Sequence, residues 1–254
     1  MKLQWFTTAA FTLTEGETAI AFDPFLGLPL GKRWPEDGGR FSAADAVFVT
    51  HGHFDHILEL PGLTADSDAP IYATETPCRT LLKHGVSPYR LRRIRPGETV
   101  TVGPFSITAF QGRHCTFDRP LIRQTIPRLW GHLPRALRLL GYSLAYPERG
   151  ETLFYEACAG RERVQIMGSL GLDPGVDYPA GANALILPYQ GRSDLVQYGW
   201  PLVQRLKPKA VYLDHYDDSF PPLTADIDTN PFCDLLTAHG IPCRALVSCE
   251  TIDL

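Results

Sequence analysis

Three histidines and one aspartate fall within six residues of the segment Thr50-His51-Gly52-His53-Phe54-Asp55-His56. Imidazole nitrogens suit Zn, Fe and Ni, and a carboxylate adds a hard oxygen that can also orient a water. In an extended stretch, side chains two residues apart point the same way, so His51 and His53 can bind one ion together. Where the chain then turns, Asp55 and His56 can face a second position nearby. The chain has 8 histidines in 254 residues, which makes a polar loop with chance histidines the weaker reading. A structural zinc is a second alternative, although such sites usually use cysteine and close all four positions.

These residues need a rigid platform. The run 45–50 (DAVFVT) is continuous and rich in β-formers, so it reads as a buried strand that ends where the ligands begin. Ile57, Leu58 and Leu60 continue an apolar period beyond the motif. The N-terminal stretch carries a single Lys, with Gln4, Thr7 and Thr8 interrupting its apolar residues, and reads as a strand pair rather than a signal peptide. Further strands are expected at 17–22, 70–74, 141–146, 163–168, 182–188, 209–213 and 243–248. A hairpin over 98–111 turns at Gly103-Pro104. Helices are expected at 76–85, 193–207 and 230–239, the last with Asn230 as N-cap and Pro231 at the first helical position. Hairpins come first and strand–helix–strand units later, which is an α/β arrangement with mixed sheets. The whole of 1–254 reads as one domain with an inserted amphipathic segment near 117–140.

Composition bounds the function. A net charge of −4 argues against electrostatic coating of nucleic acid, and no apolar run is long enough for a membrane helix. The charge is uneven: six arginines and one aspartate lie between Arg113 and Leu140. The six cysteines form no CxxC pair, and the expectation is reduced thiols in a cytoplasmic protein.

The motif H-x-H-x-D-H after a hydrophobic strand resembles the metallo-β-lactamase superfamily. That resemblance implies a four-layer αβ/βα sandwich with metals at one edge between two sheets. It also implies His114 as the third ligand beside His51 and His53, and His215 beside Asp55 and His56. Asp23, in Ala21-Phe22-Asp23-Pro24, is similar to the family's early aspartate, which supports a metal-binding histidine from behind. One position departs from the pattern. Where the family usually has Gly-Asp, with an aspartate bridging both metals, this chain reads Gly168-Ser169. Asp173 and Glu156 are the candidates to replace the missing oxygen.

The expected activity is that of a metal-dependent hydrolase. Zn²⁺, as one ion or two, with Mn²⁺ or Fe as alternatives, would generate hydroxide to attack a phosphoester- or lactone-type small molecule. Asp55 would orient the water and take its proton. Arg113 and Arg192 are candidates to clamp a phosphate or carboxylate. Cys115 and His132 are weaker candidates for the site, whereas His84 and His239 read as helix C-terminal residues. Residues 117–140, with Pro127 and Pro134 against a single helix, read first as an amphipathic cover over the core. A lid beside the metals is the second reading and a membrane-surface contact the third. Two rival functions follow: a phospholipid phosphodiesterase working at a bilayer, and a metal- or ligand-binding module that has lost turnover through Ser169. The expected partner is a small molecule, with no nucleic acid and with membrane contact not favoured.

Overall fold

The computed structural model describes residues 1–27, 41 and 43–254. Strands β1 (Lys2–Thr7), β2 (Ala10–Glu15), β3 (Thr18–Phe22), β4 (Ala46–Phe48), β5 (Ile71–Ala73), β6 (Leu91–Arg93) and β14 (Thr251–Asp253) make one sheet, in the order β14-β1-β2-β3-β4-β5-β6. The other sheet runs β13-β12-β11-β10-β9-β8-β7. Its strands are β7 (Thr99–Val102), β8 (Phe105–Gln111), β9 (Leu153–Ala159), β10 (Glu162–Met167), β11 (Ala184–Pro188), β12 (Val211–Asp214) and β13 (Cys243–Ala245). Each sheet is antiparallel through its hairpins and parallel from β3 to β6 and from β10 to β13.

Side-chain alternation explains why two sheets stack and both outer faces are covered. On β4, Ala46 and Phe48 face the core between the sheets, while Val47 and Val49 belong to a second core. That second core includes Cys78 and Leu81 of helix α3 (Glu75–Lys83), downstream of the short turns α1 (Phe54–Ile57) and α2 (Leu60–Leu63). On β11, Ala184 and Ile186 face inward, while Leu185 and Leu187 meet a third core. That core holds Val203 and Leu206 of α6 (Leu195–Leu206) and Phe232 and Leu236 of α7 (Asn230–Ala238). Three apolar layers thus separate four layers of secondary structure, an αβ/βα sandwich. Strands buried on both faces carry continuous apolar runs, as β4 and β11 do.

Several sequence expectations change. Residues 141–146 are not a strand. They belong to helix α5 (Leu133–Ala145), which follows α4 (Arg119–Gly131) to form a helical hairpin. Pro134 sits in the first turn of α5, where its missing N–H costs nothing, and Pro127 lies inside α4. Strand β9, where Glu156 interrupts the apolar run, follows a turn at Arg149-Gly150 and was not expected. The strand at 243–245 is not the last, because β14 returns to pair with β1. Asn230 is the first residue of α7, with Thr229 in the cap position.

The hairpin also departs from a simple cover. Leu139, Tyr142 and Tyr146 pack onto the second core, but Ile122, Ile126, Trp130, Leu133, Leu137 and Leu140 are exposed. Among the described residues, no helix is long and apolar enough to cross a membrane.

Candidate metal centre

The functional candidates sit at strand ends along one edge of the two sheets. Asp23 follows β3, the 51–56 motif follows β4, His114 follows β8, Ser169 follows β10 and His215 follows β12. Parallel strands end at the same edge, which is how residues more than 150 positions apart come together.

Donor atoms of His51, His53 and His114 lie within 4.8 Å of one another, and so do those of Asp55, His56 and His215. The groups adjoin: the His51 and His56 rings are 3.9 Å apart between centroids. Within the first group, His51 Nε2 lies 3.2 Å from His53 Nδ1. In the second, Asp55 Oδ2 is 3.4 Å from His215 Nε2 and 3.8 Å from His56 Nε2.

Outer hydrogen bonds fix which nitrogens point inward. The Asp23 carboxylate accepts from the Thr50 N–H at 2.7 Å and the Thr50 hydroxyl at 2.6 Å, and His56 Nδ1 lies 2.9 Å from Asp23 Oδ2. His114 Nδ1 donates to the Cys115 carbonyl at 2.9 Å. In both rings the Nε2 lone pair is left for the interior. The backbone at Asp23 and at His215 is left-handed, with φ of 41° and 60°. Such a conformation costs a non-glycine residue on the order of 1–3 kcal/mol and persists only where the surroundings hold it. Here Asp23 N–H bonds the Phe48 carbonyl at 3.1 Å, and His215 N–H bonds the Thr8 carbonyl at 3.0 Å.

Electrostatics separates the histidines. Burial, aided by the neighbouring His56, holds His51 well below the usual imidazole range. Burial pushes His53 down to about 4 and lowers His114 as well. These three are neutral, lone-pair donors at neutral pH. His56 is buried too, but the Asp23 and Asp55 carboxylates outweigh that cost and raise it. Burial likewise opposes ionisation of Asp55, yet His56 and the His215 hydrogen bond prevail and keep it below the usual carboxylate range. Three neutral imidazoles beside an ionised carboxylate with two more imidazoles form a donor set suited to Zn²⁺, Mn²⁺ or Fe. The buried His215 Nδ1 and Asp214 Oδ1 have no hydrogen-bond partner among the described residues.

A cavity of about 740 Å³ opens over all six residues. Phe117, Leu121, Ile126 and Leu129 wall one side and Phe220 and Leu223 another, so most of the lining is apolar.

Other candidates fare differently. Ser169 lines the cavity, and its hydroxyl accepts from the Cys115 N–H at 3.0 Å, which anchors the backbone next to His114. Neither proposed replacement for a carboxylate there enters. Glu156 pairs with Arg163 at 2.8 Å, and Asp173 accepts from the Gly175 N–H at 2.7 Å. Arg192 borders the cavity but is already engaged: Nε and Nη2 meet both Asp194 oxygens at 2.6 and 2.8 Å, and Nη1 bonds the Thr116 carbonyl. Arg113 is exposed and does not line the cavity, nor does the exposed His132. Cys115 lines it as a buried thiol pushed up to about 11 by burial. His84 stacks on Tyr146 and His239 lies against Trp200, each at a helix C-cap.

Two residues were missed as functional elements. Thr50 stands between Asp23 and the rings, with its hydroxyl 3.1 Å from His51 Nδ1 and 3.3 Å from His56 Nδ1. Its place immediately before the first histidine was the available signal. Gly168 lets Ser169 approach: a Cβ there would stand 2.4 Å from the Leu153 carbonyl oxygen and 2.6 Å from Thr50 Cβ.

Comparison with known proteins bears on this site. Residues 18–160 match the family model described as the Beta-lactamase superfamily domain. A UPF0173 metal-dependent hydrolase from Mesorhizobium japonicum is 33% identical over 118 residues, covering 45% of this chain and 48% of that protein. One from Rhizobium etli is 29% identical over 114 residues, covering 45% and 48%. The chain spans about half the length of the curated relatives it matches. Among solved structures, Igni18, a metallo hydrolase from Ignicoccus hospitalis, superposes with a TM-score of 0.69 at 20% identity, covering 99% of this chain and 97% of the other. An isothiocyanate hydrolase from Delia radicum gut bacteria gives a TM-score of 0.66 at 17% identity, covering 100% and 99%. At these identities the structural likeness is one of fold.

Proposed function

Because this chain belongs to the metallo-β-lactamase superfamily, we propose that it is a metal-dependent hydrolase of small-molecule esters, with His51, His53 and His114 holding one ion and Asp55, His56 and His215 a second. The observation that carries this reading is the pair of adjoining donor groups on the floor of one largely apolar cavity. When bound, the metal supplies Lewis acidity and lowers the pKa of water toward neutrality.

The chain's own residues do the rest. Asp55 is kept ionised by His56 and His215, so its carboxylate is available to accept a hydrogen bond from the attacking water and orient it. Asp23 and Thr50 hold His56 and His51 in one orientation. Phe117, Leu121 and Phe220 take an apolar part of the substrate and exclude bulk water. Between a lactone and a phosphoester, the neutral lactone fits better. The Arg192 guanidinium is already neutralised by Asp194, and Arg113 lies outside the cavity. Zn²⁺ is the proposed ion, with Mn²⁺ or Fe as the alternatives that the same donors accept.

The test is a hydrolysis panel of lactones, carboxylic esters and phosphodiesters, run with protein loaded with Zn²⁺, Mn²⁺ or Fe²⁺ and with the His53→Ala variant. Turnover that needs metal and is lost in His53→Ala is expected. Tight metal binding with no turnover on any panel member would instead favour a binding module, with Ser169 in place of a bridging carboxylate as its cause.

A further inference from the structure

The α4–α5 hairpin carries an apolar surface that its packing against the core does not use. Trp130 on α4, and Leu133, Leu137, Leu140 and Leu144 on α5, are each between 46% and 75% exposed. At 3.6 residues per turn, positions 133, 137, 140 and 144 fall on one line along α5. Leu139, Tyr142 and Tyr146, which meet the core, fall on the opposite side. A helix with one apolar stripe packs that stripe and turns a polar face to water. Here a second stripe faces outward, and contiguous exposed apolar surface of this kind marks an interaction site.

Charge identifies the partner. From Arg119 to Pro147 the chain carries five arginines and no acidic residue, in a protein whose net charge is −4. Arg119, Arg123 and Arg138 are exposed. A two-fold dimer through this hairpin would set the patch against its own copy and bring like charges together. An anionic bilayer meets both features: its headgroups attract the arginines, and its acyl boundary takes leucines and a tryptophan. Trp130, 72% exposed one residue before the end of α4, is the residue type that settles at such a boundary. The other face of the hairpin walls the cavity through Leu121, Thr125 and Leu129, so the hairpin joins the docking face to the site.

We propose that the α4–α5 hairpin is a docking surface for anionic lipid bilayers, lying in the interface with Trp130, Leu137 and Leu140 inserted and the arginines at headgroup level. The test reads binding alone, so its failure and the failure of the hydrolase reading are distinguishable. Protein is co-sedimented with vesicles of equimolar phosphatidylglycerol and phosphatidylcholine, and with vesicles of phosphatidylcholine only.

Binding to the anionic vesicles that falls with added salt is expected, with a blue shift of tryptophan emission that disappears in Trp130→Phe. Arg119→Gln with Arg123→Gln should weaken binding about 25-fold, about fivefold for each arginine. Trp130→Ser with Leu137→Ser should weaken it by about tenfold or more for each residue. All four positions are exposed, and circular dichroism of each variant confirms its fold. No binding to anionic vesicles at low salt would overturn the proposal. So would binding that the variants leave unchanged, or a dimer in solution that Trp130→Ser with Leu137→Ser dissolves, which would assign the patch to a second copy.

Discussion

The Asp23 carboxylate lies 2.9 Å from His56 Nδ1 and also accepts both hydrogen bonds offered by Thr50. One buried anion at the end of β3 thereby fixes the ring orientation of a histidine at the end of β4. Partners of this kind raise the basicity of a metal-binding ring and keep its free lone pair aimed inward. Asp23→Asn keeps the shape and removes the charge. It should weaken metal binding at the Asp55–His56–His215 group by about 10- to 100-fold, read by titration calorimetry. Unchanged affinity would mean that the ring holds its orientation without this anion.

The two donor groups should empty separately. His53→Ala is expected to remove the ion of the first group, and His215→Ala the ion of the second. Elemental analysis of metal-loaded protein should then find about half the wild-type metal in each variant if two ions bind. A single ion shared by all six residues would instead be lost altogether in both.

Ser169→Asp places a carboxylate where the family usually has one. Since affinity rises with the charge of the donor set, the second ion should bind more tightly in this variant. Ser169→Ala removes the acceptor for the buried Cys115 N–H. It should cost about 1–3 kcal/mol in a denaturant titration, because that donor is left unsatisfied.

Gly168→Ala should be costly for a steric reason. The added methyl would press on the Leu153 carbonyl and on Thr50, and strain of this kind costs about 1–3 kcal/mol. A lower melting temperature is expected together with weaker metal binding, because Thr50 contacts Asp23, His51 and His56. Loss of one without the other would separate the fold from the site.

Metal-free protein should be acid-sensitive in a defined window. The unfolded histidine titrates near 6.5, whereas His53 in the folded chain is pushed down to about 4 by burial. A group lowered on folding contributes its stability above the unfolded value and loses it as pH falls through the folded one. For His53 alone the loss between those limits is on the order of 3 kcal/mol, and His51 and His114 shift in the same direction. His56 has the opposite sign: it is raised, so its contribution is lost as pH rises through its folded value. Chelated protein followed by circular dichroism should lose stability from pH 6.5 downward, and bound metal should displace the transition to lower pH.

The sequence by itself pointed to the chemistry of the 51–56 segment, because side chains two residues apart in an extended stretch point the same way, which lets His51 and His53 act together. It also pointed to buried strands at 45–50, 182–188 and 209–213, whose apolar runs need cover on both faces and which form at 46–48, 184–188 and 211–214. Strand β9 and the return of β14 to β1 were not legible in local pattern, since they are settled by partners far away in the chain. The same holds for the clamp proposed at Arg192: its charge is visible in sequence, but its capture by Asp194 and Thr116 is a matter of loop geometry. Residues 141–146 read as a strand because their apolar spacing suits both periods, and the helix prevails where Tyr142 and Tyr146 reach the core. Tertiary structure brings His114 and His215, which follow different strands and which the family resemblance implied, to the motif, and it alone decided that the apolar stripe of α5 faces outward. Convergence and exposure depend on where parallel strands end and on which face of a helix finds a partner, and neither is written in the spacing of residues.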